Sequence, residues 1–233
     1  MPVFARLHKA NPIPLFRATW KFSRRSLILA YDAAFEAAER RNEFLESMRG
    51  PEGLSEESRV AAYAEDIVAH QQAGVVLLAA DNALWRLSRS LLPIGDAKAG
   101  YGPSYNNGVR LTTLLRATTN AIRHVSDWDD DADREDGERR KLYFPYDSPQ
   151  NEGQQALTSI TVIMDALGYG THERIWIAPS FDVLVTLDGT WYSGRTKADF
   201  SKFEAAVQEA ESQIIGRADE ISRGTRTGGL SVD

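Results

Sequence analysis

Residues 56–92 read EESRVAAYAEDIVAHQQAGVVLLAADNALWRLSRSLL and contain no proline. At about 1.5 Å per residue this predicts one helix of about 55 Å. Its middle, Val75-Val76-Leu77-Leu78-Ala79-Ala80, is apolar on every side, the mark of a helix with neighbours all round. Gly74 is a point of kinking or close packing. Ser55 is placed to cap the start, with Glu56 and Glu57 beside the positive helix end. Pro93 and Gly95 close the element. A central helix of this kind predicts a mainly α fold, a multi-helix bundle.

On the N-terminal side, residues 24–48 carry Ile28, Tyr31, Phe35, Ala38, Asn42 and Leu45 at alternating spacings of three and four, a seam for another helix. Gly50-Pro51 and Gly53 end it. On the C-terminal side, the Gly-, Tyr- and Asn-rich stretch 95–108 lacks the GxGxxG spacing and the preceding strand of a phosphate-cradling loop, so it reads as a connection. A helix is expected over 109–128, with Leu111, Leu114, Leu115, Thr118, Ile122 and Val125 on its apolar face. Another spans 150–169, stopped by Gly168 and Gly170.

Residues 174–192 change character. Val183, Val185 and Leu187 alternate with Leu184 and Thr186, and Asp188-Gly189 precedes Thr190-Trp191-Tyr192. This pattern predicts a small antiparallel β-hairpin. Thr196 with Asp199 resembles a capping box, opening a last helix with the seam Phe200, Phe203, Val207, Ala210, Ile214 and Ile221. The expected organisation is a basic arm over 1–23, one helical domain over 24–222 with the β insertion at 174–192, and a flexible tail over 223–233.

Composition removes several functions. The 233 residues include no cysteine, which excludes disulfides, thiolate catalysis and Cys-ligated metals. With 27 basic and 33 acidic side chains the net charge is −6, unlike a globally basic nucleic-acid binder. No apolar run approaches the ~20 residues of a membrane span, and no secretory signal is recognisable. A cytoplasmic protein without membrane contact is expected.

Charge is uneven, however. Residues 1–25 hold Arg6, Lys9, Arg17, Lys21, Arg24 and Arg25 and no acid, interleaved with Phe4, Phe16, Trp20 and Phe22. Arg17, Lys21, Arg24 and Arg25 are therefore candidate nucleic-acid contacts. The same mixture also suits an arm lying across the acidic body of its own chain. A third reading, an organellar transit peptide, is opposed by Pro12 and Pro14, which disfavour a helix there.

The acidic run 127–138 fails the EF-hand pattern in every register and reads as a solvated loop. His8, His70, His124 and His172 form no HExxH motif, so no metal site and no cofactor is expected. Asp66 and His70, one helical turn apart, suit a structural pair. No GxSxG or Walker motif is present. There remains the helix at 109–128, where Arg116, Asn120, Arg123 and Asp127 form a polar stripe flanked by His124 and Trp128.

The stretch from Leu114 to Trp128 resembles the HEPN superfamily of helical bundles found in bacterial defence and toxin systems. Its nuclease members carry an Arg, often followed by a polar residue, four to six positions before a His on one helix. Here the positions for that Arg hold Ala117, Thr118 and Thr119. Arg116 stands one residue too far from His124, about 80° around the helix from it. The resemblance implies RNA binding or metal-independent RNA cleavage. His124 would move protons, Arg116 or Arg123 would stabilise a phosphorane, and Asn120 would orient the imidazole or substrate. It also implies RNA or nucleotide as partner, and a homodimer that brings two such helices together. Two other readings need no resemblance. One is a non-catalytic helical interaction protein with a protein partner, acting through the 200–221 seam or the basic arm. The other is a small-molecule or metal-dependent enzyme using the acidic and Gly-Tyr loops.

Overall fold

A computed structural model describes residues 11–47, 55–123, 152–168, 180–188 and 199–227. Among them the chain is a bundle of α-helices with no strand. Helix α1 spans Pro12–Ser47 and α2 spans Glu56–Leu91. A single-turn α3 covers Ile94–Ala97, and a 3₁₀ turn covers Asn106–Gly108. Helices α4 (Leu111–Arg123), α5 (Glu152–Leu167), α6 (Ser180–Asp188) and α7 (Phe200–Thr227) follow.

The central place of α2 follows from its all-round apolar middle. It packs on α1 along much of its length and also touches α4, α6 and α7. Val76, Leu77 and Ala80 are wholly buried. The Ser55 hydroxyl accepts from the Ser58 amide at 3.2 Å, making the expected cap. A Cβ on Gly74 would lie 3.5 Å from Ile122 and 3.8 Å from Ser180, so α4 and α6 both approach α2 there.

Two expectations fail. Helix α1 begins at Pro12 rather than at residue 24, so residues 12–23 of the expected arm are its first turns. Both prolines fall where helical N–H groups have no intrahelical acceptor, and their fixed φ suits the first turn. Asn11 caps that turn, its Oδ1 accepting from the Ile13 amide at 3.1 Å. These turns pack on α7, with Trp20 ring to ring against Phe203 at 6.4 Å.

The β-hairpin is the second failure. Residues 180–188, including Val183, Val185 and Leu187, form α6 instead of a strand. Val183, Leu184 and Leu187 are buried together with Phe181. A short apolar run carries no decisive period, and burial among helices overrides β propensity. The hydroxyl of Thr186 donates back to the Asp182 carbonyl at 2.9 Å, a bond only a helix provides. Residues 174–179 and 189–192 of the expected hairpin, and the 228–233 part of the tail, lie outside the described residues.

The 95–108 connection is tied to its surroundings. The Tyr101 amide donates to the Thr112 hydroxyl at 2.8 Å and the Gly102 amide to Gln213 Oε1 at 2.9 Å. Gly102 has φ +86°, and a Cβ there would meet Leu111 at 2.9 Å and Ala210 at 3.0 Å. Both amides are used within the fold, which leaves them unavailable to a phosphate. The start of α7 is capped by Asp199, whose Oδ1 accepts from the Ser201 amide at 2.9 Å. Its seam Phe200, Phe203, Val207, Ala210 and Ile214 is buried.

Candidate functional site

Helices α2 and α4 and the turn after α3 enclose a pocket of ≈ 190 Å³. Trp85, Arg116, Asn120 and Ser159 line it, with Lys98 at its edge. Arg116 is the best-anchored cation among them. Its guanidinium carbon sits 3.6 Å from the Trp85 ring centroid, and its Nε lies 3.5 Å from Asp81 Oδ1. Asp81 and Trp85 are four residues apart on α2 and so project from one side of that helix. The Asp81 side chain is only 8% exposed and that of Arg116 31% exposed. The carboxylate fixes the inner nitrogen of the guanidinium while the indole supports its plane. Such a clamp holds a planar fork in one orientation, the form in which Arg reads phosphate or carboxylate. A second cation, Arg89, lies 5.5 Å from the same ring.

The predicted stripe divides at this point. Arg116 and Asn120, one turn apart on α4, both face the pocket and are half-buried. Arg123 is the last residue of α4, and its side chain lies outside the described residues, as do His124, Asp127, Trp128 and the acidic run 127–138. On α4 itself the apolar face is as expected, with Leu111, Leu114, Leu115 and Thr118 wholly buried.

The four basic candidates of α1 separate as well. Arg17 Nε donates to Glu211 Oε1 at 2.6 Å. Arg24 makes two bonds to Glu204, at 2.7 and 3.0 Å. Those bonds hold the Glu204 carboxyl below its ordinary range, against the upward push of desolvation. Lys21 lines the same α1–α7 groove, of ≈ 480 Å³, and Arg25 is exposed. Two of the four cations thus neutralise acids of α7, the geometry of a basic segment lying across its own acidic body.

A third polar cluster joins α1, α2 and α6. Arg41 donates to Asp66. His70 Nε2 is 3.9 Å from Asp66 Oδ2, while His70 Nδ1 accepts from the Phe181 amide at 3.2 Å. The imidazole thereby satisfies an amide in the first turn of α6, a structural task. Burial pushes the nearby Asp182 carboxyl up; His70 and Arg41 pull it down, and Asp66 raises it further. Among the described residues no three His, Asp or Glu side chains converge as metal ligands, and no helix is long and apolar enough to cross a membrane.

Trp85, Asp81, Lys98 and Ser159 were not singled out by sequence. Only Asp81 carried a signal, a lone carboxylate directly after six apolar residues on a central helix. Such a charge is either buried with a partner or interrupts the helix face. Compared with protein-family models, curated proteins and solved structures, the chain shows no significant match.

Proposed function

We propose that this chain is an HEPN-like RNA-binding protein of the cytoplasm, active in a bacterial defence or toxin system, whose α2–α4 pocket takes an RNA phosphate. The clamped guanidinium of Arg116 is the observation that supports this reading. Asp81 engages Nε, and the terminal amino groups of the fork are the ones that match two phosphate oxygens. Lys98 adds positive charge at the pocket edge, and Asn120 adds an amide that both donates and accepts.

The same pocket leads to a cleavage reaction without metal. His124 takes the proton of a 2′-hydroxyl, whose oxygen attacks the neighbouring phosphorus while the 5′-oxygen leaves. Arg116 and Arg123 stabilise the charge on the phosphorane. The test is RNA degradation in EDTA by wild type, His124→Ala and Arg116→Lys, with RNA binding measured in parallel. Cleavage is expected in wild type and lost in His124→Ala. Binding should survive His124→Ala and weaken in Arg116→Lys, because lysine keeps the charge and loses the fork. A wild-type protein that neither binds nor cuts RNA overturns the reading.

One observation favours a second reading, a non-catalytic interaction protein. Asp81 already offsets the charge of Arg116, as in a purely structural clamp. Recovery of a specific protein partner by a chain inert toward RNA would support it.

A further inference from the structure

We infer that the outer face of the α1–α2 hairpin is covered by a second copy of this chain, with the two α1 helices antiparallel. Three large apolar side chains of α1 face water: Leu15 is 40% exposed, Phe22 86% and Leu29 63%. They recur every seventh residue, which at 100° per residue keeps them within about 40° on one stripe. Beside them α2 exposes Val60, Val68 and Val75. The register of the hairpin is set by Arg40–Glu65 and Arg41–Asp66. A contiguous apolar face of this kind marks an interaction surface.

Charge selects the occupant. One flank of the α1 stripe carries Lys21 and Arg25 in its N-terminal half, then Asp32, Glu36, Glu39 and Glu43 in its C-terminal half, all exposed. In an antiparallel pair the same flank of each helix meets the other. A two-fold axis near Leu29 then sets Arg25 against Asp32 and Glu36 of the second copy, and Lys21 against its Glu36 and Glu39. A parallel pair would put like charges together. An anionic membrane would attract the basic half and repel the acidic half. Helices of about 54 Å supply the length needed for the roughly 800 Å² per partner of a stable interface. The dimer implied by the HEPN resemblance joins through α4, so this contact is a different one and does not depend on the RNA-binding reading.

The mass of the full chain in solution is the test, measured by light scattering over a concentration series. Wild type is expected to be a dimer, and Phe22→Glu with Leu29→Glu a monomer of unchanged helicity. Arg25→Asp should weaken association roughly tenfold, the size of a few partly exposed ion pairs, and Asp32→Arg added to it should restore much of the loss. A monomeric wild type, or a dimer indifferent to the double glutamate change, overturns the interface. A dimer sensitive to that change but indifferent to both charge reversals overturns the antiparallel arrangement. Capture by anionic vesicles of a wild type that stays monomeric would assign the face to a membrane instead.

Discussion

Arg116 and Arg24 each meet one carboxylate across a helix boundary, in different surroundings. At the α2–α4 contact the acid, Asp81, is 8% exposed and the guanidinium lies against an indole. At the α1–α7 contact Glu204 is 15% exposed, while Arg24 is 46% exposed. The Arg24 pair has the better hydrogen bonds, 2.7 and 3.0 Å against a single 3.5 Å approach. Shelter rather than bond length separates them. A charge kept from water depends on its partner, whereas water can replace a partner at the surface. Arg116→Ala is accordingly expected to cause the largest loss of stability. It removes the guanidinium from a buried carboxylate and uncovers Trp85. The cost should be on the order of 2 kcal/mol, less than the 3–5 kcal/mol typical of a fully buried pair because Arg116 itself is part-exposed. Urea unfolding measures it; an unchanged midpoint would show that Asp81 does not need Arg116.

Tyr31 sharpens the comparison by replacing a charged partner with a neutral one. Its ring is wholly buried, T-shaped against Phe200 at 5.5 Å. Its hydroxyl is pushed well up, first by burial and then by the Asp188 carboxylate beside it. Asp188 is itself only 2% exposed. Tyr31→Phe removes the hydroxyl with almost no change in volume, so the effect reports the polar contact alone. A loss of about 1.5 kcal/mol is expected, the lower end for a hydrogen bond to a charged group. A neutral result would mean that Asp188 relies on other partners.

These contrasts explain which parts of the molecule were legible in sequence. The boundaries of α2 and the buried seam of α7 follow from local rules, namely proline-free length, an apolar period of three and four, and Ser or Asp at the start. The start of α1 was misjudged because two prolines count against a helix in its interior but favour its first turn. Residues 180–188 were misread because Val-Leu-Val fits a strand until a crowded helical core claims it. Within the site, Arg116 and Asn120 were visible as one stripe of one helix. Trp85 and Asp81 were not, since they reach the stripe only through the crossing of α2 and α4. A pairing between residues 81 and 116 is a tertiary fact with no local period.

The weakest dependence belongs to the surface pair, and pH and salt expose it. Glu204 is held below its ordinary range mainly by its hydrogen bond to Arg24, with desolvation opposing. A carboxyl whose folded value is depressed lends stability above its unfolded value and loses it as pH falls through the folded one. Arg24→Gln should therefore lower the melting temperature slightly at neutral pH. The difference from wild type should fade in acid, once Glu204 is protonated in both proteins. Salt should shrink it too, because the half-exposed guanidinium is within reach of counterions. Melting curves of the two proteins across pH and ionic strength check this. A difference that persists in acid and in high salt would mean that Arg24 acts through its stem on the Phe200 ring, 5.9 Å from its guanidinium carbon, rather than through charge.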